Sequence, residues 1–278
     1  MSDAQPVNHT SQPMRPMAER RFGRFNLLGL WTLILREVRR FTNVWTQTLA
    51  APVMTAGIFM AVFSLAFAAR RAGEDGAEAF THFIAPGILM MQVIQNAFAN
   101  TSSSIMVSKV QGNIVDTLMP PLSAFELTLG YAVGGVTRGV IVAIAISLTI
   151  FPLVGLGVAH PLWALIFVIL GAGVMALLGA LAAIIAQKFD HIAAITNFIV
   201  MPLSFLSGTF YSISILPGWM QAISHMNPFF YMIDGIRYGT LGVSDSSPWL
   251  GFAVLVLVNG GLGALVWNWF RTGYRLKP

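Results

Sequence analysis

The chain has 278 residues, of which 56% are hydrophobic and only 10% are charged, and its mean hydropathy is +0.72. So few charged side chains cannot cover a water-soluble domain of this length, in which about a quarter of residues are normally charged. The absence of cysteine excludes disulfides, thiolate metal sites and cysteine nucleophiles, and five scattered histidines disfavour a zinc site. The composition therefore identifies an integral membrane protein.

Six stretches are long and apolar enough to cross a bilayer, for which a helix needs about 20 residues. The stretch 211–248 is apolar and aromatic but contains internal prolines, which favours short re-entrant or interfacial helices over a full crossing. We expect an all-α polytopic membrane protein whose transmembrane domain covers residues 48–278. The predicted spans are residues 48–69, 83–107, 127–158, 161–186, 192–210 and 250–270.

Positive charge is distributed unevenly between the two sides of the predicted membrane domain. Twelve of the 16 Lys and Arg residues lie in the N-terminal segment, the loops around Lys109 and Lys188, and the C-terminal tail. The opposite side holds only Arg70, Arg71 and Arg237. Because cytoplasmic segments carry the excess of Lys and Arg, we expect both termini in the cytoplasm. This distribution disfavours a nucleic-acid-binding surface.

The segment before the first span divides into two parts. Residues 1–24 are polar and rich in proline and methionine, and we expect a disordered cytoplasmic tail. Residues 25–47 have the pattern of an amphipathic interface helix, with Arg36, Arg39 and Arg40 on its polar face. This helix is either a plain interfacial anchor or a docking surface for a partner. Its predicted apolar face consists of Leu27, Leu30, Trp31, Ile34, Val38 and Phe41.

The loop between the second and third spans is longer than a simple connection requires. Apolar residues recur at helical spacing over 108–118, which predicts a short amphipathic helix that two prolines end. Lys109, Asn113 and Asp116 point away from the apolar face of this helix. The helix is either an interfacial element or an element that receives force from a partner.

Polar side chains occur inside two predicted spans. Gln92, Gln95, Asn96 and Asn100 recur at helical spacing in the second span, where amides facing lipid would be costly. This face is predicted to line a dimer interface or the transport path, with packing against neighbouring helices as the alternative. Arg138 either extends to the surface from the cytoplasmic mouth of the third span or contacts an anionic substrate. Glycines beside Arg138 form two small-xxx-small pairs, which permit close helix packing.

The sequence shows no energy source of its own. All acidic residues fall outside the predicted spans, whereas ion-coupled transporters usually keep carboxylates within the membrane. No phosphate-binding loop of the type GxxxxGK(S/T) occurs, so ATP would have to bind to another polypeptide. The alternatives are a stand-alone passive carrier or channel, a membrane scaffold, and an enzyme acting on lipids. No paired carboxylates or histidine cluster favour the enzyme.

Three motifs give the chain a resemblance to the permease subunits of ABC-2 type ABC exporters, from about residue 25 to the C-terminus. The first motif is residues 113–118 (NIVDTL), followed by Pro120 and Pro121. The second motif is residues 206–211 (LSGTFY), and the third is residues 227–238 (NPFFYMIDGIRY). The second and third motifs, at this separation and before the last span, make the resemblance specific.

The resemblance implies a homodimer of six-span chains in the bacterial inner membrane, working with two copies of an ABC ATPase subunit. The interface helix and the coupling helix between spans 2 and 3 would rest on that ATPase, which binds the ATP and Mg. The chain itself would then be no enzyme and hold no cofactor. Re-entrant helices are implied on the outer side between spans 5 and 6. The family's substrates include lipid-linked molecules, saccharides and drugs.

The third motif also predicts local contacts. Asn227 is expected to cap a helix whose first residue is Pro228, a position that tolerates proline. Asp234 and Arg237 lie three residues apart on that helix and are expected to pair. Tyr231 fits an aromatic belt at the membrane surface, with stacking on a sugar as the alternative.

Overall fold

The structure, a computed structural model, describes residues 25–68 and 74–276, and side chains outside 67–79. All the regular elements in these ranges are helices. The predicted tail at 1–24 and the Arg70–Arg71 pair lie outside the described residues. In chain order the helices are α1 (Leu27–Thr42), α2 (Ala51–Ala68), α3 (Glu74–Val110), α4 (Ile114–Leu118), α5 (Ala124–Leu153), α6 (Pro161–Ile185), α7 (Phe189–Ile195), α8 (Met201–Leu206), α9 (Gly218–Met226), α10 (Pro228–Leu241) and α11 (Pro248–Thr272).

Among the described residues, five stretches are long and apolar enough to cross a membrane. The second predicted span, 83–107, lies within α3 and is not one of the five. Amide and hydroxyl side chains along α3 lower its hydropathy, yet it packs against α2, α5, α6 and α10 and is largely buried. The five stretches are Thr46–Ala66, Ala124–Leu153, Pro161–Ile185, Phe189–Leu206 and Pro248–Thr272.

Each of two candidate spans contains a π-helical turn shortly before a proline. The turn Thr46–Ala50 precedes Pro52 in α2, and the turn Thr196–Val200 precedes Pro202 in α8. Proline has no N–H to donate to the carbonyl four residues earlier, and its ring collides with that carbonyl in a regular α-helix. A widened turn relieves this collision at Pro52 and Pro202, whereas Pro86 within α3 is accommodated without one.

The two predicted small-xxx-small pairs of α5 bring different helices into close contact. A Cβ atom at Gly130 would lie 2.4 Å from Leu33 Cδ2, and one at Gly134 would lie 2.7 Å from Glu37 Cβ, so this pair receives α1. The other pair, Gly135 and Gly139, faces alanines of α6 at 2.5 and 2.8 Å. Because glycine has no side chain, the backbone of α5 directly contacts side chains of α1 and α6 at these positions.

The helix α1 docks on α5 through a stripe that differs from the predicted apolar face. Leu33, Glu37 and Phe41, spaced four residues apart, are the buried residues, whereas Leu27 and Trp31 are exposed. The predicted helix at 25–47 ends at Thr42 and is followed by the π-helical turn. Phe41 belongs to both faces, and Leu30, Ile34 and Val38 of the predicted face are partly buried. Glu37 is buried because Arg40 and Ser104 bind its carboxylate, which hydropathy does not reveal.

One end of the bundle, which we call the α1 end, gathers α1, α4, the end of α3 and the start of α5. Glu126 joins two of these elements, α1 and α5: its carboxylate accepts hydrogen bonds from the backbone N–H groups of Ser123 at 2.6 Å and of Asn26. The Ser123 hydroxyl accepts in return from Glu126 N–H at 3.3 Å. This capping box starts α5 and also holds the start of α1 against it.

Candidate functional site

A groove of about 600 Å³ opens at the α1 end, between α1 and the region formed by α4 and the end of α3. Five of the six residues predicted to contact an ATPase line it. Arg36, Arg39 and Arg40 lie on the α1 side, and Asn113 and Asp116 lie on the α4 side. The fold therefore brings together two segments that are far apart in the sequence, and one wall of the groove is basic.

The carboxylate of Glu37 is the centre of the hydrogen bonds behind this groove, although the sequence analysis assigned it no role. Glu37 is 0% exposed. It accepts from Arg36 Nη2 at 3.3 Å, from Arg40 Nε and Nη2 at 3.3 and 3.2 Å, and from Ser104 Oγ at 2.8 Å. Glu37 lies four residues from both Leu33 and Phe41, on the buried side of α1. This position could have indicated a role for Glu37, because a buried charge requires partners.

Arg40 turns inward and joins α1 to α3. Its Nη2 donates to the carbonyl oxygen and to the side-chain oxygen of Asn100, at 2.6 and 2.9 Å, and its Nη1 donates to Ser103 Oγ at 3.1 Å. Most donor groups of Arg40 therefore form hydrogen bonds within the chain, whereas helical periodicity predicted that Arg40 points outward. Arg39 remains exposed at the groove.

Arg36 joins α1 to two further helices. Its Nη1 donates to Thr117 Oγ1 of α4 at 3.1 Å, and its Nη2 donates to Tyr131 Oη of α5 at 3.3 Å. Together with the contacts of Arg40, this connects α1 to α3, α4 and α5 through polar side chains. We call Arg36, Glu37, Arg40, Ser104 and Thr117 the Glu37 network.

The helix after α3 is shorter than the predicted helix at 108–118. The helix α3 continues through Val110, and the chain then turns at Gly112, whose φ of 73° lies in the left-handed region that favours glycine. The separate helix α4 begins only at Ile114. The predicted element is therefore interrupted at 111–113, so that α4 changes direction relative to α3.

The short helix α4 exposes a mixed apolar and acidic surface. Ile114 and Thr117 face the interior of the chain and are buried. Val115 and Met119 are 48% and 76% exposed, and the exposed Asp116 lies between them. Exposed apolar side chains at a charged groove are typical of a protein-contact surface.

Lys109, the sixth predicted coupling residue, caps another helix instead of lining the groove. Its Nζ donates to the carbonyl oxygens of Ala183, Ile184 and Ala186 at 3.1, 2.8 and 2.7 Å. These carbonyls end α6, where a cation also interacts favourably with the helix dipole. Partial burial and, secondarily, the charge of Arg275 lower the pKa of Lys109 from its usual value. The contacts thus assign Lys109 a structural position at the end of α6.

The predicted polar face of α3 is turned toward α5 inside the same chain. Gln92, Asn96 and Asn100 are 3%, 8% and 0% exposed, whereas Gln95 is partly exposed. Arg138 Nη2 donates to Asn96 Oδ1 at 2.9 Å. Three of the four amides are therefore packed inside the chain, and one of them, Asn96, is joined to Arg138.

The third sequence motif forms α10, at the end of the bundle opposite α1. Asn227 Oδ1 accepts from the N–H of Phe229 at 3.1 Å, and the helix starts at Pro228, as the sequence predicted. The Asn227 amide also donates to Ser207 Oγ at 2.8 Å. Tyr231 Oη donates to the carbonyl of His225 at 2.9 Å. The motif therefore connects α10 to the chain segments immediately before it.

Asp234 and Arg237 do not form the predicted ion pair. Asp234 accepts from the N–H groups of Asp245 and Ser246 at 2.7 and 3.0 Å, which fixes the turn before α11. Arg237 Nη2 donates to the carbonyl of Gly208 at 2.7 Å, and its guanidinium lies 3.9 Å from the centre of the Phe83 ring. Each side chain thus has its own tertiary partner, which spacing along one helix could not reveal.

The groove at the α1 end is lined by charged, polar and apolar side chains. In the described ranges no group of His, Cys, Asp and Glu residues is placed to hold a metal ion. The groove combines fixed cations, an exposed acid and apolar side chains. These groups are suited to binding another protein, and the Glu37 network connects them to the long helices.

Comparison with known proteins agrees with this description. The chain is 35% identical over 251 residues to the inner membrane transport permease YadH of Escherichia coli K12, covering 90% of this chain and 96% of that protein. It is 27% identical over 219 residues to the daunorubicin resistance ABC transporter permease protein DrrB1 of Streptomyces coeruleorubidus, covering 75% and 72% of the two chains. The sequence profile of the ABC-2 type transporter family matches residues 29–241, and the chain is a multi-pass membrane permease that belongs to this family.

Proposed function

We propose that this ABC-2 permease is the membrane-spanning subunit of an ATP-driven exporter and that a separate ABC ATPase docks at the groove of the α1 end. The observation that carries the proposal is the exposure of Val115 and Asp116 on α4 and of Met119 just after it; Asp116 lines the groove opposite the basic wall. The Arg36–Thr117 hydrogen bond connects this surface to the interior. ATP and Mg would be held by the partner, since the sequence lacks a phosphate-binding loop.

The proposal includes six spans, with α3 as the second. Most polar side chains in this part of α3 are buried inside the chain, so they need not contact lipid even though they lower its hydropathy. Six crossings place both termini on one side, and the excess of Lys and Arg makes that side the cytoplasm. The α1 end would then be cytoplasmic, and the short helices α9 and α10 would be the re-entrant helices of the outer side.

A second copy of the chain is part of the proposal. The segment Phe189–Leu206 makes few contacts with the rest of the chain, and Phe198 within it is 81% exposed. On α2, Ile58 and Leu65 are 60% and 73% exposed. Lipid can cover such side chains, but a homodimer with two ATPase copies also provides an enclosed path between protomers. The substrate would be lipid-linked, a saccharide or an amphipathic drug-like molecule.

Co-purification from native membranes tests the proposed docking surface. The full chain is expected to retain an ABC ATPase in stoichiometric amount after solubilisation in mild detergent. Met119→Gln should weaken this retention because it removes an exposed apolar contact of α4. Met226→Gln is the matched control, since Met226 is 85% exposed at the opposite end of the bundle. Transport by the purified chain alone in liposomes would contradict the proposal.

A further inference from the structure

We infer that Arg138, together with Asn96 and the two amides beside Asn96, forms a binding site for an anionic phosphate or carboxylate group. The inference rests on the proposed export function and specifies the chemistry of the molecule that the permease accepts. It depends on three features of the interface between α3 and α5. These are the uncompensated charge of Arg138, the unused donors around it, and its partial access from outside the chain.

The charge of Arg138 has no counter-ion within the part of the chain that the structure describes. The ion pairs found there both involve Glu37, with Arg36 and with Arg40. Arg138 has one hydrogen-bond partner, the neutral oxygen of Asn96. A largely enclosed guanidinium normally pairs with a carboxylate, because a neutral amide does not offset the loss of hydration.

The polar atoms left without partners at this interface are all donors. Arg138 Nε, Gln92 Nε2 and Asn100 Nδ2 are buried and have no hydrogen-bond acceptor. Gln92 and Asn100 are 3% and 0% exposed and lie one helical turn on either side of Asn96. The Asn96 amide donates to its own helix, at the carbonyl of Gln92, and its oxygen is held by Arg138. The site therefore lacks acceptors, and a ligand that supplies several would complete it.

The register between α3 and α5 places Asn96 and Asn100 along one seam, and Gln92 lies one turn further along α3. A Cβ atom at Gly134 would lie 3.5 Å from Asn100 Nδ2, and Arg138, one turn further along α5, contacts Asn96, one turn earlier on α3. From Gln92 to Asn100 the seam extends about 12 Å, the length of eight helical residues. Arg138 as a whole residue is partly exposed, whereas its Nε is buried, so an anion would first meet the more exposed atoms of this side chain.

An anionic oxygen group fits this seam better than a neutral one. Phosphate and carboxylate oxygens accept hydrogen bonds from guanidinium in parallel, and such charged bonds are about twice as strong as neutral ones. The acid Glu37, whose Cβ lies beside Gly134 of α5, is already occupied by Arg36, Arg40 and Ser104. The anion can be the headgroup of an amphipathic molecule or a free ion, since both present the same oxygens.

Native mass spectrometry on the full chain, purified in detergent, tests the inference with two probes. Retention of phosphatidylglycerol, compared with retention of phosphatidylethanolamine, tests whether the bound anion is part of a lipid. Retention of inorganic phosphate tests whether it is a free ion. Arg138→Gln should lower retention of the bound anion about tenfold or more. Arg271→Gln removes an exposed cation at the end of α11 and should leave retention unchanged. Preference for phosphatidylglycerol identifies a lipid headgroup, and binding of phosphate alone identifies a free anion.

A second variant keeps the test decisive if Arg138→Gln fails to fold. Asn96→Asp is nearly isosteric and places an internal carboxylate beside Arg138, so it should abolish anion retention while raising the melting temperature. The inference would be overturned if the unaltered chain retained neither probe, or if the Asn96→Asp variant retained as much anion as the unaltered chain. Water would then be the occupant of the site. ATPase co-purification, measured on the same samples, reports on the proposed export function separately.

Discussion

Ser104 Oγ donates a 2.8 Å hydrogen bond to the carboxylate of Glu37 and thereby joins α3 to α1 at a fully enclosed position. The same carboxylate holds Arg36 and Arg40, which reach α4 and the middle of α3. A displacement of α4 can thus pass to the long helices through side chains as well as through the short connection at Gly112.

Glu37→Gln should loosen this connection without removing the side chain. The amide oxygen can still accept from Ser104, but both charge-assisted pairs with arginine are lost, at a cost of about 1–3 kcal/mol. We expect a lower melting temperature and a transport rate that falls more than ATP hydrolysis does. Asp190→Asn, at an exposed acid, is the control. Equal losses of transport and hydrolysis would contradict a role in transmission.

Replacing residues 113–116 by a Gly-Ser linker should remove the docking surface of α4. Membrane insertion and dimerisation are expected to remain, because Ile114 is the only buried side chain replaced. Transport-stimulated ATP hydrolysis by the complex should fall sharply, since the ATPase site itself is untouched. Hydrolysis is measured in reconstituted vesicles with and without substrate. Normal stimulation and normal export in this variant would refute the assignment of α4 as the coupling element.

Lys109→Met should destabilise the end of α6. Three carbonyl oxygens lose their donor, and the dipole of α6 loses a nearby cation, which together cost about 1–3 kcal/mol. Thermal unfolding in detergent should show the loss, whereas Lys188→Met, at an exposed lysine, should not. If Lys109→Met keeps its melting temperature but loses the ATPase, the sequence-based coupling role of Lys109 is supported instead.

Gly134→Ala should separate α1 from α5. The new methyl group would lie 2.7 Å from Glu37 Cβ, an atom close to the backbone of α1 that cannot move by rotation of its side chain. Overpacking of this kind costs about 1–3 kcal/mol. Gly260→Ala is the control, because no atom lies within 4 Å of its added Cβ. Crosslinking between cysteines introduced in α1 and α5 measures the separation directly, and the chain has no cysteine of its own. Unchanged crosslinking would contradict the prediction.

The membrane class, most of the helices and the family resemblance were predictable from the sequence. The π-helical turns were not predicted, because proline alone does not produce them: Pro86 lies in α3 without such a turn. The Asn227 cap was predicted correctly, since a cap involves residues adjacent in the chain. The exposed wall of α4 was predicted only partly, because the turn at Gly112 interrupts the apolar periodicity on which the longer helix was based.

Hydropathy, proline positions and local capping thus determined which segments of this chain are helices and which of them are apolar enough for a membrane. Tertiary structure alone decided the partners of its charged side chains. Glu37 is buried because α3 supplies Ser104, Lys109 caps α6, and Asp234 holds the turn before α11 instead of Arg237. Periodicity gives the direction of a side chain relative to its own helix, but hydrogen bonds between helices depend on which backbones approach closely, as at Gly134.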